Sequence, residues 1–137
     1  MQIKEQNKLS FNGVDFVHVD FDAQKPFDKS KKVDIDVDTK VYFPKGDETI
    51  FNLLFETTLE CEDFFKLQVT AIAMFKTSEV IDKELKDNFI NTNAPAIVFP
   101  YIRAFISNFT ANLGTTVGTL TLPPHIVSGP VDVIEAP

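Results

Sequence analysis

The sequence has few of the residues that make covalent cross-links, phosphate-binding loops and membrane spans. Its one cysteine, Cys61, cannot form a disulfide within the chain, which fits a reducing compartment. None of its 5 glycines has the spacing of a phosphate-binding loop. No apolar run approaches the roughly 20 residues of a membrane-spanning helix. Residues 1–8 are too polar for the core of a signal peptide. These absences predict a cytoplasmic protein.

The charge and the aromatic content limit the possible partners. The formal net charge is −7, which disfavours nucleic acids and anionic membranes because both need a cationic patch. There are 14 phenylalanines, 2 tyrosines and no tryptophan. A small domain has few interior positions for so many rings. We therefore expect some to reach the surface, a partner subunit or a ligand, and a phenylalanine-heavy core is the alternative.

Candidates for nucleophilic catalysis are few. His18 lies on a predicted strand and His125 in a proline-rich tail, and neither has a nucleophile and an orienting acid beside it. Cys61 lies in an acidic turn, which makes it a poor nucleophile. The sequence contains no His-Glu-x-x-His and no Cys-x-x-Cys motif. We predict a protein that is not an enzyme and uses neither a metal nor a cofactor.

Two charged segments of the chain are candidate ion-binding sites. Asp34, Asp36 and Asp38 stand about 7 Å apart on one face of a predicted strand, too far for one tight metal cage. Two of them could share a calcium ion with help from a loop, but a solvated sheet face is the favoured interpretation. A basic loop could hold an anion, and a solvated loop is again favoured: Lys25, Lys29, Lys31 and Lys32.

Alternating apolar and polar residues predict four strands, at 9–21, 33–43, 51–60 and 65–73. Gly13 marks a bulge in the first of them. Because the connections are short, four strands in sequence predict an antiparallel meander.

The hydrophobic period then changes to that of a helix. Residues 78–91 predict a short helix with Ser78 as its N-cap. A longer helix follows, which either starts at Pro95 and is kinked at Pro100 or starts at Pro100, and Gly114 is its C-cap. The buried stripe of this second helix has spacings of three and four: Ile102, Phe105, Ile106, Phe109 and Leu113.

The chain is therefore predicted to be a single α+β domain over residues 1–137. A four-stranded antiparallel β-meander packs with one long and one short α-helix. Residues 115–122 are predicted to be extended. The two ends, 1–8 and 125–137, are predicted to be flexible or irregular.

Five segments, in this order, resemble the SecB protein-export chaperone family. They are Leu9-Ser10-Phe11, Val37-Asp38-Thr39, Phe65-x-Leu67-x-Val69 with Met74-Phe75 after it, Phe99-Pro100-Tyr101-Ile102-Arg103, and Leu120-Thr121-Leu122-Pro123-Pro124. The resemblance implies an ATP-independent holdase chaperone that assembles as a homotetramer, a dimer of dimers. Its partners would be unfolded preproteins.

The resemblance and the apolar pattern together give two sets of candidate residues. The first set is predicted to bind client peptide: Phe65, Leu67, Val69, Phe75, Phe99, Tyr101 and Phe105. The second set is predicted to form the oligomer interface: Ala71, Ile102, Ile106 and Phe109.

The chain also departs from the family pattern. The acidic positions on which the motor SecA docks in SecB proteins fall at Lys8, Asn12, Lys66 and Gln68, and none of these is acidic. SecA binding is therefore the less favoured expectation. The alternatives are a SecB-like chaperone that serves the antitoxin of a toxin–antitoxin module and an oligomeric adaptor without chaperone activity. A third, a small-ligand or enzymatic domain, would need a closed polar pocket around His18 or Asp34–Asp38.

Overall fold

Four strands come first in the chain, the helices follow them, and a short fifth strand comes last. The computed structural model describes residues 9–44, 46–78, 80–124 and 131–135. Residues 1–8 and most of the predicted irregular C-terminal end lie outside this range. In chain order the elements are β1 (Leu9–Ala23), β2 (Asp34–Tyr42), β3 (Ile50–Cys61), β4 (Phe65–Thr77), α1 (Lys83–Asn88), a π-helical turn (Phe89–Asn93), α2 (Ala94–Ala111) and β5 (Asp132–Val133).

The sheet has the strand order β1-β4-β3-β2-β5, and its first four strands are antiparallel. The predicted α+β class with four antiparallel strands and one long helix is confirmed. Two details differ from a simple meander. β1 pairs with β4 instead of β2, so that residues 24–33 cross the end of the sheet. A fifth strand, β5, runs parallel to β2, in a segment where the sequence predicted no regular structure.

One face of the sheet forms the core. On β3 and β4 every second residue is buried, as the period-two pattern predicted. Thr57 is the polar member of this buried row on β3, at 1% exposure. Cys61, 4% exposed, ends β3 and is a free thiol. The largest fully buried side chains on these two strands are Phe51, Phe55, Phe75, Leu53, Leu59, Leu67 and Val69.

β1 is irregular at two places. Its register with β4 shifts between Phe11 and Val14 and again between Phe16 and His18. The first shift contains Gly13, whose φ of 96° is a conformation that glycine adopts without strain, and the predicted bulge is confirmed. Each shift resets the alternation, so that Phe11, Phe16 and Phe21 all face the core side.

The first helix is shorter than predicted. It begins after Asp82, whose carboxylate accepts a hydrogen bond from the Leu85 amide at 2.8 Å, and Ser78 is not its cap. An aspartate in extended conformation satisfies the free amides of a first helical turn. The helix continues through the π-helical turn into α2, so that the two predicted helices are joined without a break.

α2 resolves the two alternatives for the proline segment. Pro95 lies in the first turn and Pro100 inside the helix, so the earlier start is the correct one. The helix ends at Ala111 with Asn112 as its C-cap, and Gly114 reverses the chain afterwards with a φ of 89°. The predicted cap was therefore placed two residues late.

The chain after α2 turns at Thr115–Val117 and runs back along the helix. Polar side chains of the helix fix this return. Arg103 donates from Nε to the Leu122 carbonyl at 2.9 Å, and the Thr110 hydroxyl accepts from the Leu120 amide at 2.8 Å. Leu122 is buried, so this segment contributes to the core.

Candidate functional site

Six aromatic rings form a continuous row between α2 and the edge strand β1. Three pairs join the two elements. The ring centroids are 5.3 Å apart in Phe11–Tyr101, 4.1 Å in Phe16–Phe105 and 6.1 Å in Phe21–Phe109. We call these six residues the aromatic ladder: Phe11, Phe16, Phe21, Tyr101, Phe105 and Phe109.

The aromatic ladder is accessible over its whole length. None of its six side chains is fully buried, and Tyr101 is 51% exposed. β1 pairs with β4 on one side, and among the described residues no strand pairs with its other side. The ladder therefore lies beside a free strand edge, where main-chain groups and aromatic surface are available together.

The outer face of α2 carries no charge. Arg103 is the helix's one side chain that is charged at neutral pH, and its hydrogen bond to Leu122 turns it toward the returning chain. Two large apolar side chains are open on the helix, Ile97 at 36% and Tyr101 at 51% exposure. The exposed positions of this face are Ala96, Ile97, Pro100, Tyr101, Ala104, Asn108 and Ala111. A helix of 18 residues without a solvating charge on its outer face is typical of a surface that another chain covers.

The structure separates the predicted client-binding residues into two groups. Tyr101 and Phe105 lie in the aromatic ladder. The others are at most 3% exposed and form core in the single chain: Phe65, Leu67, Val69, Phe75 and Phe99. They face the side of the sheet that α2 and the returning chain cover, so their side chains offer no surface to a client in the isolated chain.

The predicted interface residues divide in the same way. Ala71, Ile102 and Ile106 are at most 1% exposed, because the stripe of α2 at spacings of three and four packs on its own sheet. Phe109 lies in the aromatic ladder. A partner subunit can reach Phe109, whereas the other three positions are already occupied within the chain.

Sequence reasoning missed the phenylalanines of β1 as site residues. Phe11, Phe16 and Phe21 are five apart, a spacing that a regular strand would place on alternating faces. The two register shifts bring all three to the same face. Gly13 was the sequence signal for the first shift, and the phenylalanine excess was the signal that rings reach the surface.

The opposite face of the sheet carries acidic side chains of β2 together with apolar side chains such as Met74, which is 38% exposed. Asp34, Asp36 and Asp38 share this face, as predicted. Lys40 lies 3.4 Å from Asp38 and 3.3 Å from Glu56. The hydrogen bond that the Lys40 ammonium donates to the Glu56 carboxylate is the main reason why the pKa of Lys40 is raised, and Asp38 adds to it.

The basic loop between β1 and β2 converges on no common point. Lys25 lies over the Phe64 ring, 4.7 Å from its centroid, in a cation–π contact. Lys29, Lys31 and Lys32 are exposed. Phe27 anchors the loop instead, through an edge-to-face contact with Phe65 at 5.2 Å.

Of the SecA-docking positions, Asn12, Lys66 and Gln68 lie on the described part of the chain, and Lys8 does not. Lys66 is exposed, and its cross-strand neighbours are Asp22 and Glu60. Within the described ranges, no cluster of three histidine, cysteine, aspartate or glutamate side chains could hold a metal ion. No helix in these ranges is long and apolar enough to cross a membrane.

The fold and the surface define a small α+β protein that offers apolar contact area on an edge strand and one long helix. Residues 7–122 match the family model described as preprotein translocase subunit SecB, and the chain belongs to the SecB family. This confirms the resemblance found in the sequence. Members of this family are chaperones and not enzymes, so the chain is a SecB-like chaperone without catalytic activity.

Three similar proteins give further comparisons of sequence and fold. The chain is 29% identical over 141 residues to the uncharacterized protein MJ0357 of Methanocaldococcus jannaschii, with 98% of this chain and 90% of the relative covered. The fold is similar to the SecB-like chaperone Rv1957 of Mycobacterium tuberculosis, solved in complex with a ChAD peptide from the HigA1 antitoxin Rv1956. The TM-score is 0.69 at 16% identity, with 86% of this chain and 88% of that chain covered. A Streptococcus agalactiae protein of unknown function shares the fold at a TM-score of 0.51 and 10% identity, with 87% and 99% covered.

Proposed function

We propose that this SecB-like chaperone is an ATP-independent holdase of the cytoplasm. It binds unfolded polypeptide along the aromatic ladder and keeps it competent for export or assembly. The observation that supports this proposal is the ladder itself, six rings left partly open beside a free strand edge. Aromatic rings bind apolar side chains of many shapes, which suits a client that has no fixed structure.

The strength of such binding comes from several contacts acting together. A client segment that contacts one pair of rings gains little, because its own ordering costs free energy. Once a longer segment contacts one pair, its contacts with the other two pairs form within the same complex. The effective concentration of the segment at those pairs is therefore high. Long unfolded chains should therefore bind much more tightly than short peptides or folded proteins.

The same surfaces support a homotetramer, a dimer of dimers. The free edge of β1 offers a row of main-chain groups to a second β1, and the uncharged outer face of α2 offers Ile97, Tyr101 and Ala104. Phe109 is the one predicted interface residue that a partner could contact. A tetramer built in this way would place ladders from different chains side by side and lengthen the client surface.

An antitoxin is the second client we consider. The similar Mycobacterium tuberculosis chaperone was solved with an antitoxin peptide bound. This favours an antitoxin of a toxin–antitoxin module as the client here. SecA dependence is less favoured, because Asn12, Lys66 and Gln68 replace acidic docking positions, although Asp22 and Glu60 stand next to Lys66.

The test is suppression of aggregation. An unfolded client is diluted from denaturant into buffer with a several-fold excess of the chaperone, without nucleotide, and light scattering is followed. We expect the native protein to suppress scattering and Phe105→Ser to lose most of that effect. Val80→Ser is the matched control, since Val80 is 66% exposed but lies outside the ladder. Equal suppression by Phe105→Ser and Val80→Ser would contradict the proposed site.

An adaptor without chaperone activity predicts a different result. In that case the native protein would form its oligomer, seen by size-exclusion chromatography with light scattering, but would leave client aggregation unchanged. Comparing the oligomeric state of Phe105→Ser with its activity separates loss of assembly from loss of client binding.

A further inference from the structure

The edge strand β1 is symmetric about its central residue. It has 15 residues, Leu9–Ala23, with Phe16 at the centre. Phe11 and Phe21 lie at equal distances from Phe16, because one register shift falls on each side of it. The β4 residues opposite the three phenylalanines are regularly spaced, at Phe75, Ala71 and Leu67. The two halves of β1 therefore match each other in length as well as in the position of their rings.

A strand with this symmetry can pair antiparallel with the same strand of a second copy. A two-fold axis at Phe16 places that residue opposite itself. On the core side, Val14 then lies opposite the partner's Val19, and Phe11 lies opposite the partner's Phe21. Within the part of the chain that the structure describes, no strand covers this edge of β1. A second copy is the occupant that the edge fits, since its core-side contacts are all apolar.

Two charged residues of β1 complement each other across the same axis. Asp15 lies opposite Ile72 of β4 and His18 lies opposite Thr70, so the two stand one step to either side of Phe16. Both are exposed, on the face of the sheet away from α2. The axis therefore places Asp15 directly opposite the partner's His18, and His18 opposite the partner's Asp15. The Cβ atoms of residues directly opposite are about 4.5–5.5 Å apart, within reach of an ion pair.

Other registers of the two strands are less favourable. An axis moved one step, to His18, would place Asp20 opposite the partner's Asp15. An axis moved one step the other way, to Asp15, would place that carboxylate opposite its own copy. Like charges directly opposite destabilise an antiparallel pair. Larger shifts leave more residues of β1 without an opposite residue. The charges and the phenylalanine spacing thus favour the same axis.

His18 makes this pairing sensitive to pH, because an imidazole changes its charge between about pH 5 and pH 8. In the single chain, its charged neighbours along the exposed face of β1 are Asp15 and Asp20. On β4 it faces Thr70, which is uncharged, and Glu56 lies one strand farther. The second copy adds a carboxylate directly opposite. Paired chains should therefore take up a proton at His18 more readily than separate chains, and this uptake favours assembly.

We propose that β1 forms a pH-dependent interface between two copies of this chain, closed by two reciprocal His18–Asp15 ion pairs. Assembly strengthens as the pH falls from about 8 to about 6 and weakens again near pH 4, where carboxylates take up protons. The inference rests on the proposed function, since it gives the register and the regulation of the proposed oligomer. Because the axis joins the aromatic ladders of two chains, pH would also control the length of the client surface.

The experiment measures the dissociation constant of the assembly by sedimentation velocity of fluorescently labelled protein, at pH 8 and pH 6 and constant ionic strength. We expect a dissociation constant about fivefold lower at pH 6, because two exposed ion pairs form. His18→Gln and Asp15→Asn should each remove most of this pH dependence. Asp20→Asn is the matched control, since Asp20 neighbours His18 on its own strand but does not face the partner's His18, and it should keep the pH dependence.

Exchanging the two residues tests whether they act as a pair. Asp15→His combined with His18→Asp reverses each ion pair but keeps it reciprocal, so the pH dependence should return. His18→Asp alone places two carboxylates opposite each other and should weaken assembly at both pH values.

Cysteine cross-linking measures the register, in a Cys61→Ser background. A mixture of Asp15→Cys and His18→Cys chains should form a disulfide on oxidation, because the two positions are close across the axis. Neither variant alone should do so, since an axis at Phe16 places neither position opposite its own copy. A cross-link of His18→Cys with itself, a dissociation constant independent of pH, or a chain that stays monomeric at both pH values would overturn the proposal.

The outcome is separable from that of the proposed function. Assembly that strengthens at pH 6 without any suppression of client aggregation would sustain the interface and contradict the holdase. Suppression of aggregation by a chain whose assembly does not respond to pH would sustain the holdase and contradict the interface.

Discussion

Phe99 and Tyr101 stand two residues apart in the first half of α2, and truncating them should have different effects on stability and on client binding. Phe99 is 3% exposed and Tyr101 is 51% exposed. The first side chain belongs to the core cluster, and the second contacts Phe11 across the aromatic ladder at 5.3 Å. Replacing each with alanine therefore separates the stability of the fold from the function of the surface.

The expected magnitudes differ several-fold. Truncating a buried phenylalanine removes its transfer free energy and leaves a cavity, which together cost about 3–5 kcal/mol. For Tyr101 the loss is mainly one ring pair at the surface, about 0.5–1.5 kcal/mol. With a urea slope of about 2 kcal/mol per M, Phe99→Ala should lower the unfolding midpoint by about 2 M and Tyr101→Ala by about 0.5 M.

Circular dichroism in urea measures both midpoints, and the sequence contains no tryptophan to follow instead. The measurement is made at two protein concentrations, because an oligomer adds a concentration-dependent term to apparent stability. Client binding should fall in Tyr101→Ala while its fold persists. Similar midpoints for the two variants, or a Tyr101→Ala variant with full chaperone activity and assembly, would refute the division into core and ladder.

Further variants test single features of the fold. Thr57→Val should raise the free energy of unfolding by about 1 kcal/mol, because the buried Thr57 hydroxyl has no partner among the described residues; a lower urea midpoint would contradict this. Gly13→Ala should cost about 1 kcal/mol in thermal unfolding, because the φ of 96° strains any side chain although nothing lies within 4 Å of the added carbon; an unchanged Tm would count against the bulge. Asp47→Ala tests a turn in which hydrogen bonds from Thr49 lower the pKa of the Asp47 carboxyl below its ordinary 3.8. A carboxyl whose pKa is lowered by folding stabilises the fold at pH values above its ordinary pKa. This stabilisation is lost as the pH falls through the pKa of the folded state. The native protein should thus have a higher free energy of unfolding than Asp47→Ala at pH 7, and this difference should disappear in strong acid. A difference that does not depend on pH would exclude this cause.

The strands could be predicted from sequence because their signal is local. Alternation on β3 and β4 directly marks one buried face, and Gly13 marked a bulge. The pairing of β1 with β4 could not be predicted, since it depends on contacts far apart in the chain. β5 consists of two residues and owes its place to hydrogen bonds that the Val131 and Ile134 amides donate to Asn91 and Val41, which no local pattern reveals.

The candidate site was predicted only in part, for a related reason. A period-two face such as Phe65, Leu67 and Val69 is equally suited to a client groove and to a core. Only the position of α2 decides between the two, and it covers that face. Tyr101 and Phe105 were identified as aromatic residues of the second helix, and the structure leaves both partly exposed. Their partners on β1 depend on two register shifts, of which the sequence marked one.

The single cysteine gives this protein a built-in reporter of local motion. The Cys61 thiol is 4% exposed at the end of β3, next to the turn into β4. A thiol reagent can modify it only in molecules where this hairpin has opened. Its modification rate therefore measures the opening equilibrium without any introduced label. Measured with and without client, that rate would show whether client binding at the aromatic ladder makes the opening of the hairpin between β3 and β4 less frequent.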